Sequence, residues 1–274
     1  MLEISDYSFF YTLIKYIGDP FELIKVKDQP DTYQVFTMNN VRTVMLKVYL
    51  KAKGEKEKYV INTESWVELL PVSTKDINIT NVRIDYDNDT TIMYYTRGKN
   101  QCTLDLGKIS VLDYDSYDLD SSETKKLFDE FDVKPKDNSV EVKVQTCFLL
   151  NRIQDIKREY TTRKGKAKKE YLYDSIYFAY DNGKLTISAY TPPNEKDTIV
   201  VGNALLGYKK LKLDMHFTIV SFYNLIPLLK LSQFFTAILS KDNDMPTCFD
   251  IVCNKEQRIH FYVVPRVATH EPKE

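Results

Sequence analysis

Short segments in which apolar and polar residues alternate recur along the chain, and they constrain its fold more than any other feature. Residues 32–38 (TYQVFTM), 139–145 (SVEVKVQ) and 184–191 (KLTISAYT) show this pattern clearly. An alternation of period two places successive side chains on opposite faces of a β-strand. Valine, isoleucine, threonine and tyrosine favour strands, and the chain contains 20 tyrosines but only 8 glycines. The sequence therefore predicts an α+β fold that is mostly β, with antiparallel sheets.

The predicted strands form two series that are separated by a polar segment. The first series comprises residues 22–28, 32–38, 42–52, 77–87, 90–96 and 101–111. The second comprises residues 139–145, 175–182, 184–191, 210–220, 234–241 and a closing hairpin within 245–267. Residues 113–138 lie between the series and are dominated by acidic side chains, which is typical of a linker. We therefore predict an N-terminal domain at 1–112, an interdomain linker at 113–138 and a C-terminal domain at 139–274.

Two helices are predicted within each series. Residues 7–17 in the first series and residues near 147–160 in the second place apolar side chains on one helical face. A shorter helix follows a strand in each half: the strand that begins YVIN at residue 59 leads to a helix around Trp66, and the strand that ends FTIV at residue 220 leads to a helix around Leu225. Since both halves repeat the same order of elements, the sequence indicates an internal repeat of two similar domains.

Composition limits the classes of function that are open to the chain. With 274 residues and 43% hydrophobic content, the chain can bury a sizeable core. The formal net charge of −1 excludes a general attraction to nucleic acid, so DNA binding requires a local basic patch. No apolar run reaches the roughly 18 residues of a membrane span, and the N-terminus lacks a secretion signal. We expect an intracellular protein without membrane contact: nuclear in a eukaryote, and otherwise at the cytoplasm or a viral replication site.

Neither catalysis nor a cofactor is expected. The three histidines, His216, His260 and His270, lie outside any recognisable nucleophile, metal or phosphate-loop motif. Cys248 and Cys253 are five residues apart on one alternating strand, so they point to opposite faces and away from a common metal ion. The four cysteines are scattered, which fits reduced thiols.

The C-terminal hairpin carries the most specific signal in the sequence. Its strands read DMPTCFDIV (244–252) and HFYVVPRVATHE (260–271). An Asp-x-Pro strand start, a closing aromatic pair and a Val-Pro end resemble the sliding clamps of the proliferating cell nuclear antigen type. The segment TMNNVRTVMLKVYLKA (37–52) is similar to the methionine-containing loop and long strand of the same family.

This resemblance implies a ring, usually a homotrimer, whose helices line a central hole and whose sheets form the outer wall. Such a clamp encircles duplex DNA without reading its sequence, is placed there by a clamp loader, and tethers DNA polymerases, ligases and nucleases without performing chemistry. Partners insert an extended motif with apolar and aromatic anchors into a pocket under the interdomain linker. The matching positions of this chain are Met38, Arg42, Met45, Phe131, Val133, Pro246, Tyr262, Val264 and Pro265.

Basic residues on and after the predicted helices are the candidates for DNA contact, because attraction to phosphates without base contacts allows a ring to slide. These candidates are Lys15, Arg152, Lys157, Arg158, Arg163, Lys164, Lys166, Lys168, Lys169 and Lys230. Glu64 and Glu68 oppose this pattern, because clamps commonly present lysines there. The run at 163–169 is interpreted either as a solvated loop or as a DNA-contacting one.

Three other hypotheses stay open at this level. The first is a clamp-fold subunit of a hetero-oligomer, such as a checkpoint clamp or a viral homologue that works with transcription proteins. The second is a β-rich interaction protein that never contacts DNA. An enzyme whose site is invisible in one sequence is the third.

Overall fold

Sixteen strands and four helices are seen in the part of the chain that the structure describes. This computed structural model describes residues 1–17, 21–38, 44–72, 78–87, 90–107, 139–151, 153, 175–181, 183–191, 195–203, 212–240, 246–253 and 257–265. Every strand pair with a described register is antiparallel. The mostly β, antiparallel architecture that the alternating pattern predicts is therefore confirmed.

The first series runs strand, helix, four strands, helix, three strands. Its elements are β1 (Leu2–Ile4), α1 (Tyr7–Ile17), β2 (Phe21–Lys25), β3 (Thr32–Met38), β4 (Val44–Gly54), β5 (Lys58–Ile61), α2 (Thr63–Leu69), β6 (Ile79–Asp87), β7 (Thr90–Arg97) and β8 (Asn100–Asp105). One sheet path runs β8-β7-β6-β1-β4, while β2 pairs with β3 and β5, and β3 also pairs with β4.

The second series repeats this order. Its elements are β9 (Ser139–Gln145), α3 (described residues 146–151 and 153), β10 (Ser175–Asp181), β11 (Lys184–Thr191), β12 (Glu195–Asn203), β13 (Lys212–Thr218), α4 (Ile219–Leu229), β14 (Phe234–Ser240), β15 (Thr247–Cys253) and β16 (Gln257–Val263). One sheet has the order β12-β11-β10-β13, and β16, β15, β14 and β9 are neighbours in that order. The internal repeat is thus present in the order of elements.

The described residues group into two compact units. The first unit contains those of Met1–Thr37, Leu46–Phe131 and Cys253–Ile259, and the second contains those of Met38–Met45, Asp132–Val252 and His260–Glu274. A short segment of the first series therefore groups with the second. The predicted linker at 113–138 lies outside the described residues, and the predicted domain boundaries stay predictions.

Each unit has its own apolar core. In the first unit, Leu2 and Ile4 of β1 stand opposite Ile84 and Val82 of β6, and all four side chains are buried. Phe10, Leu13 and Ile14 of α1 are fully buried in the same unit, and α1 contacts β6 and α2. The apolar residues of the strands and those of the helix are thus buried in the same core, because burial of apolar area stabilises the fold.

The core of the second unit is built around four phenylalanines. Phe178, Phe217, Phe222 and Phe249 come from β10, β13, α4 and β15, and their ring centroids lie between 5.2 and 5.9 Å apart. Most of these pairs meet edge to face, the arrangement that aromatic quadrupoles favour. Through this cluster, β10, β13, β15 and α4 of the second unit pack against one another.

Two strands escape the sequence patterns. Strand β1 has only three residues, which is too short to show an alternation. The sequence of strand β12, EKDTIVVGN, begins with charged residues and shows no alternation of apolar and polar residues. Sequence-based strand limits elsewhere differ by a few residues: the 42–52 segment, for example, forms β4 at Val44–Gly54. No helix in the described part of the chain is long and apolar enough to cross a membrane.

Candidate interaction sites

The C-terminal strand β16 ends in a mixture of buried and exposed side chains. Phe261 is fully buried, Tyr262 is only 3% exposed, and Val264, just after the strand, is 39% exposed. Pro246, immediately before β15, and Pro265 are both buried. An exposed valine flanked by a buried tyrosine and prolines therefore forms an apolar surface feature at the end of this hairpin.

Polar contacts hold Tyr262 on its strand. The hydroxyl of Tyr262 lies 3.3 Å from Nδ1 of His260, and Nε2 of His260 lies 3.6 Å from Oδ1 of Asp250. The carboxylate orients the imidazole, and the imidazole in turn orients the phenol. The three side chains form a chain of contacts that leads from β15 to the end of β16.

The remaining predicted pocket residues are only partly within the described chain. Met38 ends β3, and Met45 is buried at the start of β4. The structure groups Met38 and Met45 in the second unit, together with Pro246, Tyr262 and Val264. The other three predicted positions, Arg42, Phe131 and Val133, lie outside the described residues.

Two of the predicted DNA-contacting cations can be placed. Lys15 is exposed on α1, on the side opposite the buried Phe10, Leu13 and Ile14. Lys230 is exposed directly after α4. The other predicted cations lie outside the described residues: Arg152, Lys157, Arg158, Arg163, Lys164, Lys166, Lys168 and Lys169. Glu68 is exposed on α2, so that helix offers at least one carboxylate to solvent.

The candidate metal ligands and the cysteines can be compared with the sequence predictions. Among the described residues, no group of three histidine, cysteine or acidic side chains is placed to hold a metal ion. All four cysteines are free thiols, with Cys248 and Cys253 buried, Cys102 partly exposed and Cys147 exposed.

Lys47 is a cation that the sequence analysis missed. It lies on β4 between the buried core residues Leu46 and Val48, yet it faces the other side of the strand. Its ammonium nitrogen is 5.3 Å from the ring centroid of Phe36 and 5.6 Å from that of Tyr49. A lysine within the apolar run VMLKVYL was the available signal, since lysine is almost never buried without a specific contact.

Two solved structures are similar to the chain over nearly its whole length. The PCNA of Thermococcus kodakaraensis matches with a TM-score of 0.67 at 15% sequence identity, covering 97% of this chain and 100% of that one. The chain has the PCNA clamp fold. A PCNA2–PCNA3 complex from Sulfolobus tokodaii shares this clamp fold, with a TM-score of 0.64 at 14% identity, covering 97% of this chain and 99% of the matched chain.

The relationship is one of fold, at 15% sequence identity or less to both structures. No protein-family model matches the sequence, and no curated protein matches it. The clamp fold was nevertheless the expectation from the C-terminal hairpin and the repeated halves, and that expectation is confirmed. At such low identity, fold and function need separate arguments.

Proposed function

We propose that the chain is a DNA sliding clamp. It assembles with two further copies into a ring, encircles duplex DNA without reading its sequence, and tethers DNA polymerase and other replication or repair proteins. The observation that carries this proposal is the clamp fold, which extends over 97% of the chain. In this role the protein performs no chemistry and uses no cofactor, because the link to DNA is topological.

Several described strands, β5, β8, β9, β12 and β13, have one hydrogen-bonded neighbour each, and two of them, β8 and β12, are proposed to join the copies of a ring. Among the described strands, β8 hydrogen-bonds only to β7, and β12 hydrogen-bonds only to β11. An unpaired strand edge is a template for a strand of another chain. Joining β8 of one copy to β12 of the next is a heterologous contact, and such contacts form a closed ring when the rotation between copies permits.

The exposed cations of the helices supply the proposed contact with DNA. Lys15 and Lys230 are exposed at α1 and at the end of α4, and the basic residues predicted at 152–169 would add to them. Lysine contacts with phosphate carry no sequence information, which suits a protein that must slide. A clamp loader is the expected partner that opens the ring.

Partner proteins are proposed to dock at the end of the C-terminal hairpin. Val264 is exposed there, Tyr262 and Pro265 are buried close to it in sequence, and Pro246 is buried at the start of the other hairpin strand. An extended peptide with apolar and aromatic anchors can cover such a feature and gain affinity from a few buried contacts.

A subunit of a hetero-oligomeric clamp is the second candidate. One matching structure is a complex of two different clamp proteins, PCNA2 and PCNA3. The exposed Glu68 on α2 fits a subunit that contributes less of the DNA attraction. A chain of this kind would not close a ring by itself.

The mass of the assembly in solution separates these two candidates. A homotrimeric clamp gives three chain masses of 32.1 kDa each by native mass spectrometry at micromolar concentration. A monomer contradicts the homotrimer and favours the hetero-oligomer or an interaction protein that does not bind DNA.

Retention on circular DNA tests encirclement. The protein is incubated with nicked circular plasmid, separated from free protein by gel filtration, and the plasmid is then cut once. We expect the retained protein to be lost after cutting, because a ring slides off a free end. Equal retention on circular and linear DNA contradicts encirclement and indicates ordinary surface binding.

A further inference from the structure

Phe234 and Val252 form an exposed apolar area on a sheet of the second unit. Phe234 begins β14 and is 38% exposed, whereas the next residue, Phe235, is buried. Val252, on β15, is 52% exposed. Since Phe235 is paired with Ile251, the adjacent residues Phe234 and Val252 stand side by side on the two strands. Exposed apolar residues that are neighbours, unlike scattered ones, mark a candidate contact surface.

A serine hydroxyl fixes the backbone under this area. Oγ of Ser232 lies 2.8 Å from the carbonyl oxygen of Phe234 and 2.9 Å from that of Val252, so the hydroxyl bridges the two strands. It also accepts a hydrogen bond from the amide of Phe234 at 3.3 Å. The contact surface is therefore formed before any ligand binds, which lowers the cost of binding.

A lysine and an amide border the ring of Phe234. Gln145 of β9 stands opposite Phe234 and is exposed. Lys143, also exposed, shares this face of β9, since Val142 and Val144 are buried on the other face. Its ammonium nitrogen is 4.7 Å from the centroid of the Phe234 ring. Among the described residues Lys143 forms no ion pair, so its charge can meet an anionic ligand.

Two carboxylates share this face of β9, β14 and β15. Glu141 lies two residues beyond Lys143 on β9. Asp250 of β15 is only 7% exposed, and its Oδ1 lies 3.6 Å from Nε2 of His260. Neither stands opposite Phe234 in the strand ladders. The two positions that flank the ring across the strands therefore carry no negative charge.

The ring, the cation and the amide together fit an unpaired nucleic-acid base. Every base has a flat π-face that stacks on an aromatic side chain, and sheets with exposed aromatic residues bind single strands in this way. Lys143 would meet a phosphate, and the amide of Gln145 can donate to or accept from a base edge. A peptide anchor instead gains its affinity in a desolvated pocket, whereas Phe234 and Val252 are both exposed.

The site lies next to the end of α4 and the start of α3, two helices that the proposed clamp turns toward DNA. Helix α4 ends at Leu229, the exposed Lys230 follows it, and Phe234 begins the next strand. The amide of Thr146, at the start of α3, donates to the carbonyl oxygen of Gln233 at 2.9 Å. A strand that leaves the duplex beside these helix ends can therefore pass from Lys230 to Phe234.

From these observations we infer that Phe234, with Lys143 and Gln145, is a stacking site for an unpaired base of a single-stranded nucleic acid. The inference rests on the proposed function as a clamp, because the encircled duplex is what brings a single strand to this face. It adds a second kind of nucleic-acid contact. The ring holds the duplex topologically, and Phe234 holds the strand beyond the point where base pairing ends.

The probe is a fluorescein-labelled 20-nucleotide oligothymidine, and a labelled 20-base-pair duplex is the reference. Fluorescence anisotropy gives the dissociation constants for the wild type, Phe234→Leu, Lys143→Met and Tyr94→Leu. Phe234→Leu keeps an apolar side chain but removes the ring. Tyr94→Leu is the matched control, because Tyr94 is another exposed aromatic residue, on β7 of the first unit.

We expect the oligothymidine to bind the wild type and Phe234→Leu to weaken that binding at least fivefold, since one base–aromatic stack is lost. Lys143→Met should also weaken it and should lower the slope of log Kd against log salt by about 0.7, because one phosphate contact is lost. Tyr94→Leu should stay within twofold of the wild type. Affinity for the duplex should be the same in the wild type, Phe234→Leu and Tyr94→Leu, which also shows that these variants are folded.

Three results would overturn the inference. They are absence of oligothymidine binding, binding that Phe234→Leu does not weaken, and equal weakening by Tyr94→Leu. If a fluorescein-labelled peptide with aliphatic and aromatic anchors loses affinity in Phe234→Leu while oligothymidine does not bind, the area is a protein docking site and the inference is wrong.

Retention on nicked circular DNA separates this inference from the proposed function. Phe234→Leu that stays on the circle and is lost after cutting leaves the clamp proposal standing, whatever the oligothymidine result. Failure of the wild type to stay on the circle overturns the clamp, while the anisotropy series still decides whether Phe234 stacks on a base.

Discussion

Tyr33 and Tyr59 meet edge to face, with ring centroids 5.6 Å apart and an angle of 62° between the rings. The hydroxyl of Tyr33 donates to the carbonyl oxygen of Lys56 at 2.8 Å, and that of Tyr59 donates to the carbonyl oxygen of Met1 at 2.6 Å. The pair thus joins β3 and β5 to the turn after β4 and to the N-terminus. Gly54, at the end of β4, faces both rings.

Gly54→Ala is expected to destabilise the first unit. An added Cβ would overlap the hydroxyl of Tyr33 and lie 2.8 Å from Cε2 of Tyr59, so the tyrosine pair must move. Overpacking of this kind costs about 1–3 kcal/mol, which urea unfolding will measure. At Gly98 nothing lies within 4 Å of the added carbon, so Gly98→Ala should cost only about 1–2 kcal/mol from its left-handed backbone. Equal stability of Gly54→Ala and the wild type would contradict the close approach.

Phe249→Ala is expected to destabilise the second unit by about 3–5 kcal/mol, because it opens a cavity within the four-phenylalanine cluster. Phe234→Ala serves as the matched control. Phe234 is 38% exposed, and its ring centroid lies 4.7 Å from the ammonium nitrogen of Lys143. Loss of this ring should lower the free energy of unfolding by about 1 kcal/mol or less. Denaturant unfolding monitored by near-UV circular dichroism will show the difference. Similar losses for the two variants would argue against this core.

Stability is expected to fall at alkaline pH because several tyrosines have a higher pKa in the folded chain than in the unfolded chain. Alkaline pH therefore favours the unfolded chain, in which these phenols ionise more readily. Burial raises the pKa of Tyr16 from 10.0 to about 12, and burial also raises the pKa values of Tyr7 and Tyr33. The neutral phenol is favoured in the folded chain. Its contribution to the free energy of unfolding is therefore fully present below pH 10 and is lost as the pH rises from 10 to 12. Each such group changes the free energy of unfolding by about 1.4 kcal/mol per pH unit.

Tyr16→Phe removes one of these groups and tests the assignment. The free energy of unfolding should decrease less steeply between pH 10 and 12 in this variant than in the wild type. Identical pH dependence in the variant and the wild type would show that Tyr16 does not contribute to the loss of stability.

Thr103→Pro is expected to prevent assembly of the ring without unfolding the chain. Arg97 and Asn100 flank a two-residue hairpin turn and form its closing hydrogen-bonded pair. Hydrogen-bonded and non-hydrogen-bonded pairs alternate from this closing pair along β7 and β8, so Thr103 and Tyr94 form a non-hydrogen-bonded pair. The amide of Thr103 is therefore directed away from β7 and toward the open edge of β8. A proline there removes a donor for the next subunit but none of the bonds to β7.

The control for the edge variant is Leu104→Pro, since the Leu104 amide bonds to Met93 in the same ladder. Leu104→Pro should lower the thermal midpoint, whereas Thr103→Pro should change it little. Native mass spectrometry should give a single chain for Thr103→Pro. A trimer in that variant would show that assembly does not use the β8 edge.

Val264→Asp is expected to weaken binding of a fluorescein-labelled peptide with aliphatic and aromatic anchors at least tenfold without a change in thermal stability, because Val264 is exposed. Alanine at Tyr262 is a poorer test, since this side chain is buried and its loss should itself cost about 3 kcal/mol or more. Val252→Asp changes another exposed valine, on β15, and should leave peptide binding intact. Equal weakening by both variants would contradict a pocket at Val264.

The sequence by itself determined the parts of this protein that depend on local periodicity. Alternating runs such as TYQVFTM and KLTISAYT became strands with the predicted limits, and the stripe of Phe10, Leu13 and Ile14 became the buried face of α1. Apolar residues that recur with the period of a strand or a helix lie on one face of it, and that face is buried. The repeated order of elements and the C-terminal hairpin then sufficed to predict the clamp fold.

Tertiary structure alone decided the features that depend on residues far apart in the chain. Strand β1 is too short to carry a pattern and exists because β4 and β6 pair with it on both sides. Lys47 interrupts an apolar run in the sequence, but only the approach of β3 brings the Phe36 ring over its ammonium group. Pairing and enclosure are non-local, so no local period encodes them.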